Sequence, residues 1–425
     1  MATTQLSFSS GALRGRLAVP GDKSISHRAL MLLAKSPAAH VVRNLNPGRD
    51  VHASAVALQA LGASIERSGN DAIVRGGTLR DPAGEIDCMN SGSTARMTMG
   101  ICTGANVRAR FTGDASLSRR PMEPVAAHLR AFGARIETSG GKLPVTLHGT
   151  EHPQTRRFIL VSPSAQIKTA LLLAGVFGDV PVAMLGDKGS RDHTERLLRY
   201  LGADITFDRS SVELRSMPAA FRDVDVAGDF SAAAFFIVAA TVAPGSSIVI
   251  EDVGVNPSRT GLLDVLLQMG AKIRLENQRE VSGEPVADIA VESAQLRGIA
   301  VSADAALRAI DEIPVLAVAA AFAQGETRIT GVRELRTKES DRVAAIERIL
   351  GAAGIEVETL PNGIAIRGGT PRSEGAVIAT HGDHRTAMAA AALAAGAGQL
   401  AIDDESCIDV SFPSFTATLE KAQHS

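Results

Sequence analysis

Two carboxylates, Asp311 and Glu339, stand among cations in this 425-residue chain. Glu339 lies between Lys338 and Arg342, and Asp311 opens an apolar stretch. Nearby cations lower a carboxyl pKa and burial raises it. Each could carry a proton if a reacting group comes within hydrogen-bond reach. The residues alone leave a structural ion pair equally open. Other candidates sit in polar or glycine-bearing loops: Gly21-Asp22-Lys23-Ser24-Ile25-Ser26-His27-Arg28, Asn90-Ser91-Gly92-Ser93-Thr94-Ala95-Arg96, Ser162-Pro163-Ser164-Ala165-Gln166, Gly228-Asp229-Phe230-Ser231, Asp311-Glu312-Ile313-Pro314 and His381-Gly382-Asp383-His384-Arg385. A second set comprises Ser118-Arg119-Arg120-Pro121, Ser190-Arg191-Asp192-His193-Thr194-Glu195, Pro257-Ser258-Arg259 and Thr337-Lys338-Glu339-Ser340-Asp341-Arg342.

These loops precede segments patterned as helices. Helix N-termini present free N–H groups and a positive dipole end, so added hydroxyls and cations make an anion site. Ser, Thr and Asp at helix starts are also ordinary caps. Arginine there works against the dipole, and several such arginines favour the anion reading. Phosphate and carboxylate groups are the ligands this chemistry suits. His381, Asp383 and His384 lack a further ligand set, so no metal is expected. Neither a Gly-x-x-x-x-Gly-Lys loop nor a strand-linked Gly-x-Gly-x-x-Gly occurs, and the common nucleotide folds are unsupported. Ser26, His27 and Asp22 are close in sequence, which does not make a nucleophilic triad.

The elements that must position these loops repeat. Gly62, Gly133, Gly202, Gly270 and Gly354 each end a helix-like pattern and precede a strand-like one. They recur about 70 residues apart, the mark of repeated supersecondary units. Before Gly270, Leu262, Val265, Leu266 and Met269 form an i, i+3, i+4, i+7 stripe; Val343, Ile346, Ile349 and Leu350 do the same before Gly354. Glycine takes a left-handed helix end without steric cost. Apolar runs at 29–34, 97–102, 169–174, 232–243, 315–323 and 387–397 interleave with these. They are apolar nearly all round and predict six buried helices. With the amphipathic helices, the last starting near Phe415, this makes six similar units. No run reaches the roughly 18 to 20 apolar residues of a membrane span.

Length predicts more than one core, and six units divide most simply into two groups of three. The net charge of −2 supplies no global basic field for nucleic acid. Trp is absent and Tyr200 is the single tyrosine, which removes most platforms for base stacking. Cys88, Cys102 and Cys407 are too few and too scattered for a disulfide framework or a zinc cluster. Residues 1–21 carry no basic segment followed by an apolar one, so a cytoplasmic enzyme is expected.

Four loops together, Gly21 to Arg28, Ser190 to Glu195, Lys338 to Arg342 and Gly382 to Arg385, closely resemble the 5-enolpyruvylshikimate-3-phosphate synthase family. The likeness spans essentially the whole chain, in order and with similar spacing, and has the flavour of the second, bacterial class. It implies an α/β fold: a two-domain inside-out α/β barrel of six βαβαββ units, three per domain. One domain would comprise residues 21–228, and the other 229–425 completed by 1–20. Substrates would lie in the cleft between them.

The resemblance also implies the activity. The enolpyruvyl group of phosphoenolpyruvate passes to the 5-hydroxyl of shikimate 3-phosphate, and phosphate leaves after addition and elimination. No metal or organic cofactor is implied, and the protein is expected to be a monomer. By motif, Ser24 and Arg28 hold the shikimate ring and its carboxylate, with Gln166 near both substrates. Ser164, Ser190 and Arg191 take the 3-phosphate. Lys23, Gly92, Arg120, Arg342 and Arg385 surround phosphoenolpyruvate. Asp311 acts on the 5-hydroxyl, Glu339 and Lys23 share the proton transfers, and Lys338 supports the shikimate hydroxyls. The herbicide glyphosate would compete for the phosphoenolpyruvate site. The chain departs from one branch of the family at Val410-Ser411-Phe412-Pro413, which lacks a lysine, at His193 in place of tyrosine, and at Ser116 in place of arginine. The phosphate of phosphoenolpyruvate would then rely more on Arg120 and Lys23. Two other readings are a UDP-sugar enolpyruvyl transferase and a non-catalytic anion-binding protein. Lys23-Ser24 in place of Lys-Asn disfavours the first, and the presence of both Asp311 and Glu339 disfavours the second.

Overall fold

All five repeat glycines have left-handed backbone in the computed structural model, with φ of +107° at Gly62, +132° at Gly133, +84° at Gly202, +97° at Gly270 and +74° at Gly354. A side chain at these positions would be strained, so the sequence spacing is a spacing of helix ends. Each is followed by a strand: Ser64–Ser68, Arg135–Ser139, Asp204–Phe207, Lys272–Val281 and Val357–Leu360. The structure describes residues 5–186 and 189–424.

The chain divides into two units. One comprises residues 21–227 with 280–284, the other 1–20, 228–279 and 285–425. The first contains three four-stranded sheets of one pattern. In the sheet ordered Ile86–Asp87, Arg108–Thr112, Lys142–His148, Arg135–Ser139, the first pair is parallel and the other two are antiparallel. The parallel connection carries the helix Gly92–Gly104, and the next crossover carries Glu123–Phe132. That order is βαβαββ, with right-handed crossovers the expected hand for its parallel step. The sheets starting at Arg157–Ile159 and Ala300–Val301 repeat the pattern.

At the two crossings the leading strands are exchanged. Arg14–Ala18 pairs in parallel with Ser247–Gly254, yet runs on into the helix Lys23–Leu33. Val224–Asp225 pairs in parallel with His40–Arg43, yet runs on into Phe230–Val242. Gly21 marks one crossing: a Cβ there would lie 1.7 Å from the Asn44 carbonyl oxygen.

The six buried helices are Lys23–Leu33, Gly92–Gly104, Ala165–Phe177, Phe230–Val242, Ile313–Ala321 and His384–Ala397. They start several residues earlier than the apolar runs. The polar residues expected in preceding loops therefore form first turns. Side chains of Asp22, Ser91, Ser164, Asp229 and Asp383 cap five of these starts.

Small residues let two of these helices approach closely. A Cβ at Gly100 would lie 2.2 Å from the Ala170 carbonyl oxygen, and one at Gly104 would lie 2.1 Å from that of Ala174. Overpacking of this kind costs about 1–3 kcal/mol or more. The approach sets the starts of Gly92–Gly104 and Ala165–Phe177 side by side. In the other unit, Phe235, Phe236, Phe412 and Phe415 pack together, with Phe236 and Phe415 centroids 5.3 Å apart. This seats the C-terminal helix Phe415–His424 on the buried helix Phe230–Val242. No described helix is long and apolar enough to cross a membrane.

Candidate functional site

In the unit built on residues 21–227, three helix starts gather the predicted residues. Lys23 is the first residue of its helix, and its Nζ lies 3.0 Å from Asp50 Oδ2. Arg28 is buried one turn further on. It donates to the Ser24 carbonyl at 2.8 Å, to Thr194 Oγ1 at 2.7 Å and to Thr169 Oγ1 at 2.9 Å. Burial pushes its pKa down to about 10; Glu195 and Asp22 oppose this, and the nearby Arg191 adds to it. A buried guanidinium beside a second cation is suited to an anionic ligand.

Gly92 begins the second helix. A Cβ there would lie 2.5 Å from Arg96 Nη1 and 3.6 Å from Arg120 Nη1. Arg120 donates to the Asn90 carbonyl at 3.2 Å, to the Asn90 side chain, and to Ser116 Oγ at 3.2 Å. Arg96 received no role from the sequence. Its Nη1 donates to Gln166 Oε1 at 3.0 Å and its Nη2 to the Pro121 carbonyl at 2.9 Å. Gln166 in turn donates to Ser93 Oγ at 3.1 Å. The four-residue spacing of Gly92 and Arg96 was the available signal, since i and i+4 share a helix face. Ser164 caps the third helix by accepting from the Ile167 N–H. The Ser190 carbonyl accepts from Lys168 Nζ at 3.3 Å.

His27 is fully buried and bonds Ser54 Oγ at 2.7 Å. Burial, with the charges of Lys23 and Arg28, holds its pKa well below the ordinary imidazole value. His193 is also buried, 2.7 Å from Glu284. That pairing gives His193 a structural partner where one branch of the family has a tyrosine.

The other unit gathers the two carboxylates around Arg342, which is 1% exposed. Its Nη2 lies 2.5 Å from Glu339, its Nη1 3.4 Å from Asp311 and its Nε 2.9 Å from Asp383. Burial opposes the charge, but Asp383, Glu339 and Asp311 outweigh it and hold the Arg342 pKa above the ordinary arginine value. Arg385 donates to the Asp311 carbonyl at 2.9 Å and stands 3.8 Å from its carboxylate. Asp311 is thus held by both cations. Lys338 is directed elsewhere and pairs with Glu334 on its own turn.

Beneath lies a buried layer whose pairings the sequence did not show. Glu312 is 1% exposed; it accepts from Ser231 and lies 3.8 Å from Arg385 and 3.9 Å from Arg259. Asp383 caps its helix and binds Arg342 and Ser340. A buried charge is tolerated when paired and hydrogen-bonded. Among the described residues, no group of three or more His, Cys, Asp or Glu could hold a metal ion.

Repeated α/β units that set cations and carboxylates at helix starts make a scaffold suited to small anionic ligands. The comparisons with known proteins make this particular. The family model for EPSP synthase (3-phosphoshikimate 1-carboxyvinyltransferase) matches residues 9–419. A 3-phosphoshikimate 1-carboxyvinyltransferase of Anaeromyxobacter sp. (strain Fw109-5) is 44% identical over 416 residues, covering 96% of each chain. One from Desulforudis audaxviator (strain MP104C) is 45% identical over 415 residues, covering 96% of each. The solved EPSP synthase of Acinetobacter baumannii superposes with a TM-score of 0.88 at 37% identity, covering 99% of this chain and 98% of that one. The chain belongs to the EPSP synthase family, and its α/β fold is that of the family.

Proposed function

We propose that the chain transfers the enolpyruvyl group of phosphoenolpyruvate to the 5-hydroxyl of shikimate 3-phosphate and releases inorganic phosphate. One observation carries the assignment of chemistry to residues. Asp311 is held by two arginines, and Glu339 lies against one of them. The reaction needs this combination of acid, base and cations.

In the addition, the methylene carbon of phosphoenolpyruvate takes a proton, and the shikimate 5-oxygen bonds to the adjacent carbon while losing its own. In the elimination, the phosphate C–O bond breaks and the new methyl group loses a proton, restoring the double bond. Asp311 accepts the 5-hydroxyl proton, with its carboxylate oriented by Arg342 and Arg385. Glu339 and Lys23 share delivery and removal of the proton at carbon. Arg342 and Arg385 hold the carboxylate of phosphoenolpyruvate, and cations placed where charge develops lower the barrier. Arg120 and Lys23 take its phosphate, with Gly92 giving the substrate room and Gln166 alongside. Ser24 and Arg28 bind the ring and carboxylate of shikimate 3-phosphate. Ser164, Ser190 and Arg191 bind its phosphate, and Lys338 lies near the shikimate hydroxyls once released from Glu334.

Glyphosate competes with phosphoenolpyruvate at this site, and the enzyme works in the cytoplasm. Support for the compartment comes from three free cysteines, all buried. The relatives matched over the whole chain are shikimate 3-phosphate enzymes, so a UDP-sugar substrate is not favoured. The test is phosphate release from purified protein. Release that requires both substrates is the expected result. Release with either substrate omitted, or none with both, refutes the assignment.

A further inference from the structure

Lys168 has no place in the chemistry above. It sits one turn into the helix Ala165–Phe177, and its side chain is 2% exposed. Its Nζ lies 2.7 Å from Glu195 Oε1 and donates to the Ser190 carbonyl at 3.3 Å. Glu195 is in the first turn of the helix His193–Tyr200, with its side chain 1% exposed.

A buried ion pair is a poor way to gain stability. Its desolvation cost rivals its attraction, and an apolar pair of similar volume often serves as well. What an apolar pair could not supply is a donor aimed at a backbone carbonyl. The pairing of these two helix starts does not depend on Lys168 alone. Thr169 and Thr194 are 2.6 Å apart, and Arg28 donates to both. The distinct contribution of Lys168 is its grip on the turn before the second helix.

The peptide geometry gives that grip a consequence. In a trans peptide the C=O and the following N–H point in opposite directions. Drawing the Ser190 carbonyl inward to Lys168 turns the Arg191 N–H away from the buried pair. We propose that Lys168 is a positioning residue for the 3-phosphate: anchored by Glu195, it holds the Ser190 carbonyl inward so that the Arg191 N–H and side chain face the phosphate opposite Ser164. This rests on the assignment of Ser164, Ser190 and Arg191 to that phosphate.

The single change Lys168→Met would leave Glu195 buried without its cation and could unfold the unit. The paired change Lys168→Met with Glu195→Leu removes both charges together. In that variant KM for shikimate 3-phosphate rises about tenfold, the scale of one charge-assisted hydrogen bond. KM for phosphoenolpyruvate, kcat and the binding of shikimate, which lacks the phosphate, all stay within about threefold of the parent. A merely structural role would lower the melting temperature without separating the two KM values. An unchanged KM for shikimate 3-phosphate in the folded double variant overturns the proposal. A second measurement needs no variant. The amide resonance of Arg191 in the unaltered protein shifts with shikimate 3-phosphate and not with shikimate; equal response to both also overturns it. Arg191→Ala tests the underlying assignment separately. If that change leaves KM for shikimate 3-phosphate unaltered, the phosphate does not bind there, whatever Lys168 does.

Discussion

Glu339→Gln should move binding and turnover in opposite directions. In the structure Glu339 occupies Arg342 Nη2 at 2.5 Å. That atom is one prong of the fork that a substrate carboxylate would use. On the proposed assignment, Glu339 would therefore compete with phosphoenolpyruvate for the guanidinium and repel its charge. Two carboxylates sharing one guanidinium lie roughly 5 Å apart, which at an effective dielectric of about 20 is a repulsion of about 3 kcal/mol. The Glu339 side chain is 24% exposed, so solvent and salt reduce this to about 1 kcal/mol. The neutral amide should bind phosphoenolpyruvate about fivefold more tightly. The same change removes a proton carrier, so kcat should fall by about 10²–10⁴. Titration with phosphoenolpyruvate alone gives the affinity without turnover, and phosphate release with both substrates gives kcat. The gain in affinity should shrink as salt is raised. An unaltered kcat would remove Glu339 from the chemistry. Weaker phosphoenolpyruvate binding would show that the carboxylate supports the arginine's geometry more than it competes for its charge.

Lys23→Met removes a cation paired with Asp50 at 3.0 Å; kcat/KM should fall by at least about 10²-fold in the phosphate-release assay. Gly92→Ala places a methyl group 2.5 Å from Arg96 Nη1, so that guanidinium must shift and Gln166 with it. KM for phosphoenolpyruvate should rise several-fold, about 1 kcal/mol. His27 should make the protein acid-sensitive. Its folded pKa is depressed by burial, so below the unfolded value of about 6.5 the unfolded chain binds a proton that the folded one does not. Its contribution is complete above about pH 6.5 and is lost as pH falls toward the folded value, by up to about 1.4 kcal/mol per pH unit. His27→Gln should flatten the urea midpoint between about pH 6.5 and 5 relative to the parent; parallel curves would refute this.

The architecture was legible because its signals are local. A left-handed helix end needs glycine, and Gly62, Gly133, Gly202, Gly270 and Gly354 all have positive φ. The α/β class and the repeat of units follow from that spacing and the apolar runs between. Helix starts were less legible. Polarity in the first turn of a buried helix looks like a loop, so Lys23, Gln166 and Arg385 were read as preceding helices that in fact contain them. Partnerships distant in sequence were not legible at all. Lys168 meets Glu195 across the two helices of one repeat, and Glu312 meets Arg259 and Arg385 because helix starts from different repeats come together. Lys338 looked like a member of the Glu339–Arg342 cluster because it is adjacent in sequence. The turn Arg333–Thr337 directs it back to Glu334.

The charges divide unequally between the two clusters. Lys23, Arg28, Arg96, Arg120 and Arg191 belong to the unit of residues 21–227, where Asp50 and Glu195 are engaged with Lys23 and Lys168. In the other unit, Arg259, Arg342 and Arg385 face Asp229, Asp311, Glu312, Glu339 and Asp383. With the carboxylates ionised, each of these arginines already has a carboxylate partner. An incoming carboxylate must displace one of them, and Glu339, the most exposed of Arg342's three partners at 24%, is the one that can yield to solvent. Once released from Arg342, Glu339 would be free to turn toward the bound substrate. On the proposed assignment, binding of phosphoenolpyruvate would thus free the carboxylate that acts on it.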